Sequence, residues 1–248
     1  MNLYVLIVRF IDMNKSLTIF AFLVLCLVGR AQPKKIGIGS FEINKTTVDI
    51  IQKLSEETAV KITQASGAPE NYNDLKTTRI LELLAKPGSY GSIDPYAPEV
   101  KQERVFYLDC YFVSSVLLKD LYLKFWNDTL YSIDCQGSGD IEQAMVLKYG
   151  NPKEDGETKT VTCRNGLGIE FTKQEASFYN TWWLVPSKVL ASSNQRHYLD
   201  DKCKEQFSFT FYISSVVIET KKRKLLEVIR ASKDKDAAEK LKAKLKGF

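Results

Sequence analysis

Between Leu121 and Trp126 the chain alternates with a period of two, the signature of a strand with one buried face, and Val105–Val113 before it is an aromatic and apolar run. Leu121, Leu123 and Phe125 alternate with Tyr122, Lys124 and Trp126, and Asn127-Asp128 breaks the run before Leu130–Cys135 resumes it. This predicts an antiparallel hairpin, with Val105–Val113 as a further strand. A second alternating block follows Pro152. Thr158–Arg164 and Leu167–Lys173 flank Asn165-Gly166, the strongest short hairpin signal in the chain. Phe178–Val185 and Phe207–Ile218 are aromatic and β-branched runs that predict two more strands.

Helical spacing appears in three places. Thr46-Thr47-Val48-Asp49 reads as a capping box, followed by Ile50, Ile51 and Leu54, which predicts a helix near 46–58. Ile141, Ala144, Met145 and Tyr149 share one helical face, with Gly150 as cap and Pro152 as stop, predicting a helix over 140–149. Residues 221–246 are helical in composition, anchored by Leu225, Leu226, Val228 and Ile229. Ile36–Ile43 reads as a short opening strand. Residues 77–85 fit either a helix or a buried strand, and 87–98, rich in Pro, Gly and Tyr, form a loop. The sum is an α+β fold: an antiparallel sheet with two or three packed helices.

Ahead of this body stands a leader. Met13-Asn14-Lys15 is a positive start, Leu17–Val28 is an almost unbroken apolar run of 12 residues, and Gly29-Arg30-Ala31 places small residues before Gln32. That order marks an export signal, and its core is short of the roughly 20 residues that span a bilayer. The reading is a signal peptide over 1–31, with Met13 as an alternative start, and a secreted or periplasmic mature chain. Lipid anchoring at Cys26 is the lesser alternative, because Leu25 stands where a small residue is wanted. The domain plan is one globular α+β domain over 32–220 and a basic helix over 221–248.

Charge sharpens that division. The formal net charge is +5. Residues 221–248 hold eleven Lys/Arg against four acids, a net of +7; the leader adds +2, leaving 32–220 at −4. A basic segment beside an acidic body suits an envelope protein, a glycan or an anionic surface as partner. Export argues against nucleic acid.

Cys110, Cys135, Cys163 and Cys203 follow the leader, an even number in an exported chain, and point to disulfides. Three pairings are open. Neighbouring strand-like runs favour 110–135 with 163–203. No Cys-x-x-Cys exists, so neither a zinc knuckle nor a thioredoxin-like site is indicated.

Ile43–Ile51, and Leu121–Pro152 with its Lys148-Tyr149-Gly150-Asn151-Pro152 ending, resemble segments of exported Gram-negative proteins of unknown function. Some of these are similar to the β-lactamase-inhibitor-protein-like fold, a helix pair on an antiparallel sheet. The resemblance implies a binding or assembly role and carries no catalytic residue.

Catalytic signals are sparse. His197 is the one histidine, and its neighbours Asp200, Asp201 and Cys203 lie in a polar connection with no Gly-x-Ser-x-Gly elbow. Gly37-Ile38-Gly39 lacks the third glycine of a dinucleotide loop. No cofactor or metal site is indicated. Aromatics lead instead: Tyr90, Tyr96, Trp182 and Trp183 form the candidate binding surface. Adjacent tryptophans on a strand face opposite ways, so one of the pair belongs to the core. The expectation is an exported, non-enzymatic binding or envelope-associated protein. The alternative is a secreted hydrolase using carboxylates that the sequence does not single out.

Overall fold

The computed structural model describes residues 35–66, 76–85, 97–164, 167–185 and 187–245, with side chains up to 239. The proposed signal peptide, Met13, Cys26, Tyr90, Tyr96 and the Asn165-Gly166 turn lie outside them. The chain divides into Met1–Lys35 and Ile36–Phe248, and every element below belongs to the second unit. In chain order these are β1 (Gly37–Ile38), β2 (Phe41–Glu42), α1 (Asp49–Thr58), β3 (Ile62–Ala65), β4 (Ile80–Leu83), β5 (Glu103–Val113), β6 (Val116–Trp126) and β7 (Thr129–Gln136). After them come α2 (Gly139–Tyr149), β8 (Lys153–Arg164), β9 (Glu170–Leu184), β10 (Val189–Leu199), β11 (Glu205–Ser215) and α3 (Val216–Leu245).

Nine strands form one sheet in the order β3-β4-β5-β6-β7-β11-β10-β9-β8. Helices on a sheet are present as expected, but the sheet is mixed, because β3 pairs parallel to β4. The short segment 77–85 resolves as strand rather than helix for a local reason. The backbone N–H and Oγ1 of Thr78 donate to buried Asp109, Thr77 Oγ1 donates to the Cys110 carbonyl, and Ile80 then stands opposite Leu108. Two predicted strands, 167–173 and 178–185, are one continuous strand, β9.

Local chemistry explains the turns and caps. Asn127 and Asp128 both adopt positive φ (45° and 60°), the conformation of a two-residue type I′ hairpin turn. Ser138 caps α2 by accepting from the Ile141 N–H, and Gly150 ends it at φ 90°. The capping box at α1 does not form. Thr46 Oγ1 instead accepts from the Glu42 N–H, holding the β2 turn, and Asp49 accepts from Thr47 Oγ1. Val216–Ile218, read as strand from their β-branched side chains, are the first turn of α3.

Strand alternation gives the sheet two unlike faces. On the first, Leu121, Leu123 and Phe125 of β6 join Phe106, Ile133, Phe211 and Ile213 in one buried cluster. Ile51 and Leu54 of α1 and Ile141 and Met145 of α2 complete it. Phe106 and Phe125 meet edge to face, centroids 5.7 Å apart. The second face carries Tyr122, Lys124, Ser132, Asp134, Tyr212 and Ser214, and the first turns of α3 lie across it.

Cys163 and Cys203 are disulfide-bonded, tying β8 to the β10–β11 turn with 6.0 Å between Cα atoms. Cys110 and Cys135 are buried and not in a disulfide, which corrects the 110–135 pairing. Their strands, β5 and β7, are separated by β6. Two strand spacings, about 9–10 Å, exceed the ~7 Å that a disulfide bridges. Burial pushes the Cys135 thiol far above its ordinary value, so it stays protonated.

Candidate functional site

Trp182 and Trp183 part company as alternation requires. Trp182 stands opposite Ala191 on the helix-covered face; it is 3% exposed, and its indole N–H donates to the Gly150 carbonyl at 2.9 Å. It is therefore a core residue that fastens the end of α2, which removes it from the binding surface. Trp183 stands opposite Leu190 on the second face and is 60% exposed.

The pairing registers extend this position into a row. Lys124 pairs with Ser132, Ser132 with Ser214, Ser214 with Leu190 and Leu190 with Trp183. Five strands thus place a cation, two hydroxyls, an aliphatic chain and an indole side by side, over roughly 19 Å at four strand spacings. A second row one step along carries Asp134 opposite Tyr212. With Val216, Glu219, Thr220 and Arg223 of α3 as the facing wall, these residues line an open groove of about 400 Å³.

The polar end of the groove is an ionic network. Lys124 Nζ lies 2.9 Å from Asp134 Oδ2, and Ser132 Oγ donates to the same carboxylate at 3.2 Å. Burial works against the Lys124 ammonium, but the charge and hydrogen bond of Asp134 outweigh it, and the lysine pKa lies above its ordinary value. Burial pushes the Glu219 carboxyl up from the ordinary range, against the pull of Lys222 and Lys124 and with the push of Asp134 and Glu103.

Beside the groove, Lys222 enters the sheet. Its ammonium pairs with Glu99 and, at 2.9 Å, with Glu103, and it donates to the Tyr131 hydroxyl, which itself donates to Glu103. Lys222 and Leu226 are both buried, whereas residues 231–239 of the helix are exposed. Lys222 and Leu226 thus pin the start of α3 over the second face, and residues 231–239 stand in solvent.

The remaining sequence candidates fall elsewhere. His197 stacks on Phe207 at a centroid distance of 4.6 Å, with Nε2 3.7 Å from Glu205. Asp200 turns back to accept the N–H groups of Lys202 and Lys204, and Cys203 is spent in the disulfide. That removes the nucleophile a Cys–His site would need. Among the described residues no group of three or more His, Cys, Asp or Glu is placed to hold a metal ion, and no helix is long and apolar enough to cross a membrane. Sequence reasoning reached Trp183 but missed Asp134, Tyr212, Glu219 and Arg223. The pairing of β11 with β7 and the path of α3 over the sheet are long-range events without a local signal. Comparison with protein-family models, with curated proteins and with solved structures finds no match to this chain.

Proposed function

We propose that this is an exported binding protein of the bacterial envelope whose working site is the groove at Trp183. The observation that carries the reading is an indole left 60% exposed in a 400 Å³ groove that also presents Lys124, Asp134, Glu219 and Arg223. An aromatic body with a few convergent polar groups is the usual make-up of a small-molecule site, and the volume lies in the range of such sites. The leader pattern over 13–31, the Cys163–Cys203 disulfide and the resemblance of segments 43–51 and 121–152 to exported proteins support the cellular setting. The net charge of +7 over residues 221–248 suits attachment to an anionic surface or an acidic envelope partner. A thermal-shift screen of glycans, peptides and metabolites against wild type and Trp183→Ala tests the site. A ligand that stabilises only the wild type supports the proposal; stabilisation that is the same in both proteins contradicts it.

A second reading, a glycoside hydrolase, is favoured by one observation: Asp134 and Glu219 line the same groove. Glycosidases need one carboxyl kept protonated and one kept ionised. Burial favours the protonated form of Glu219, while Asp134 is ion-paired with Lys124 at 2.9 Å. Release of reducing ends from an oligosaccharide, abolished by Glu219→Gln, would establish this reading; binding without turnover leaves the binding protein.

A further inference from the structure

We infer that the groove takes an uncharged oligosaccharide, one ring lying on the Trp183 indole and a ring farther along the chain reaching Asp134, three strands and roughly 14 Å away. This rests on the groove being the working site and names its ligand class.

Charge balance comes first. The groove's cations are Lys124 and Arg223, its anions Asp134 and Glu219. Two against two leaves no formal surplus, and Lys124 is already engaged with Asp134. A phosphate or a dicarboxylate would meet Asp134 and Glu219, and a polyamine would meet Lys124 and Arg223. Burying either charge against an uncompensated like charge is costly. A neutral ligand avoids both penalties.

Polarity changes along the row. Trp183 and Leu190 offer an apolar surface, while Ser132, Ser214 and the Lys124–Asp134 pair offer hydrogen-bonding groups farther in. A sugar ring matches this arrangement. One ring face is carbon-bound hydrogen that packs on an indole, and its edge carries hydroxyls that both donate and accept. A wholly apolar ligand would take the polar groups of Asp134, Ser214 and Arg223 away from water without offering them hydrogen bonds.

The accessible groups complete the picture. The Asp134 side chain keeps 35% of its surface exposed despite its ion pair, so its second oxygen is open to a donor. Arg223 is exposed on the facing helix and offers planar N–H donors. The acceptor on the sheet and the donor on α3 line the same groove as Trp183, which suits hydroxyls on successive rings of one oligosaccharide.

The test uses the mature chain with its disulfide intact. Neutral tetrasaccharides of glucose (β-1,4 and α-1,4), mannose, xylose and N-acetylglucosamine, a tetragalacturonate and a tetra-alanine peptide are titrated by calorimetry at 50 and 500 mM NaCl. At least one neutral sugar is expected to bind with a dissociation constant that changes less than twofold between the two salts. Trp183→Ala should weaken it at least tenfold, Trp183→Phe less, and Asp134→Asn at least fivefold. Circular dichroism and melting of each variant separate loss of binding from loss of fold. Binding of only the galacturonate or the peptide, still dependent on Trp183, overturns the carbohydrate assignment and keeps the groove. Absence of any Trp183-dependent binding overturns both.

Discussion

The two faces of the central sheet differ in how they are covered, and the difference separates stability from function. The first is closed by α1 and α2 over Phe106, Leu123, Phe125, Ile133 and Phe211, all at most 1% exposed. It is dry, and its stabilisation scales with the apolar area withdrawn from water. The second is closed by the first turns of α3 through Lys222 and Leu226, with charged and hydroxyl side chains beneath. Burying paired charges contributes little net stability, since desolvation offsets their attraction. Such a network instead fixes where the helix sits, and that placement opens the groove. A protein needing only stability would gain from making the second face apolar as well.

The comparison breaks most clearly at the dry face. Phe125→Ala removes a ring from the centre of the cluster and should cost about 3–5 kcal/mol, read as a lower denaturant midpoint. On the second face, Lys222→Ala should cost nearly as much, about 3 kcal/mol or more, because it leaves buried Glu103 and partly buried Glu99 without their ammonium. The faces diverge in the compensated variant. Lys222→Met with Glu99→Leu and Glu103→Leu should recover most of the loss in the same urea titration. No comparable repair exists for the dry face. If the triple variant were no more stable than Lys222→Ala, the network would be a true stabiliser and the contrast would fail.

Alternation along β6, the Asn127-Asp128 turn and the Gly150 cap of α2 were all legible, because each is settled by residues within a few positions of one another. The path of α3 was not. Val216–Ile218 have strand-forming side chains, yet they open a helix whose hold on the sheet is Lys222, Glu99 and Glu103, residues more than a hundred positions apart. The Cys110–Cys135 misreading has the same origin. Nearness in sequence suggested neighbouring strands, while β6 lies between them. At the groove, exposed Trp183 was foreseen as one of a pair, but its partners Asp134 and Arg223 became neighbours only through the β7–β11 pairing and the crossing of α3.

The disulfide belongs to the second half of the sheet alone, and its removal is the next smaller effect. Cys163→Ser with Cys203→Ser should cost about 2–4 kcal/mol, since the bond closes a 40-residue separation. Differential scanning calorimetry of the two proteins gives the number.

Smallest is the pH signature of the second face. Burial raises the folded-state pKa of Glu219 above its unfolded value, so the folded chain holds that proton more tightly. The contribution is present in full below the unfolded pKa, about 4.3, and is lost as pH rises through the folded value. Glu219→Gln should therefore raise the melting temperature at pH 7 and leave it nearly unchanged at pH 4. An equal gain at both values would mean that the carboxyl's charge is not what burial disfavours.

With three tryptophans in the chain, Trp183 can be watched alone. Trp182 is locked to the Gly150 carbonyl, Trp126 stacks edge-on against Tyr131, and Trp183 stands open in the groove. Indole ¹H–¹⁵N spectra, assigned with Trp126→Phe and Trp183→Phe, would be recorded while the neutral tetrasaccharides are added. The expected result is that one saccharide shifts the Trp183 signal at saturation and leaves those of Trp126 and Trp182 in place. A ligand that binds the protein yet leaves the Trp183 signal unmoved would contradict the central claim.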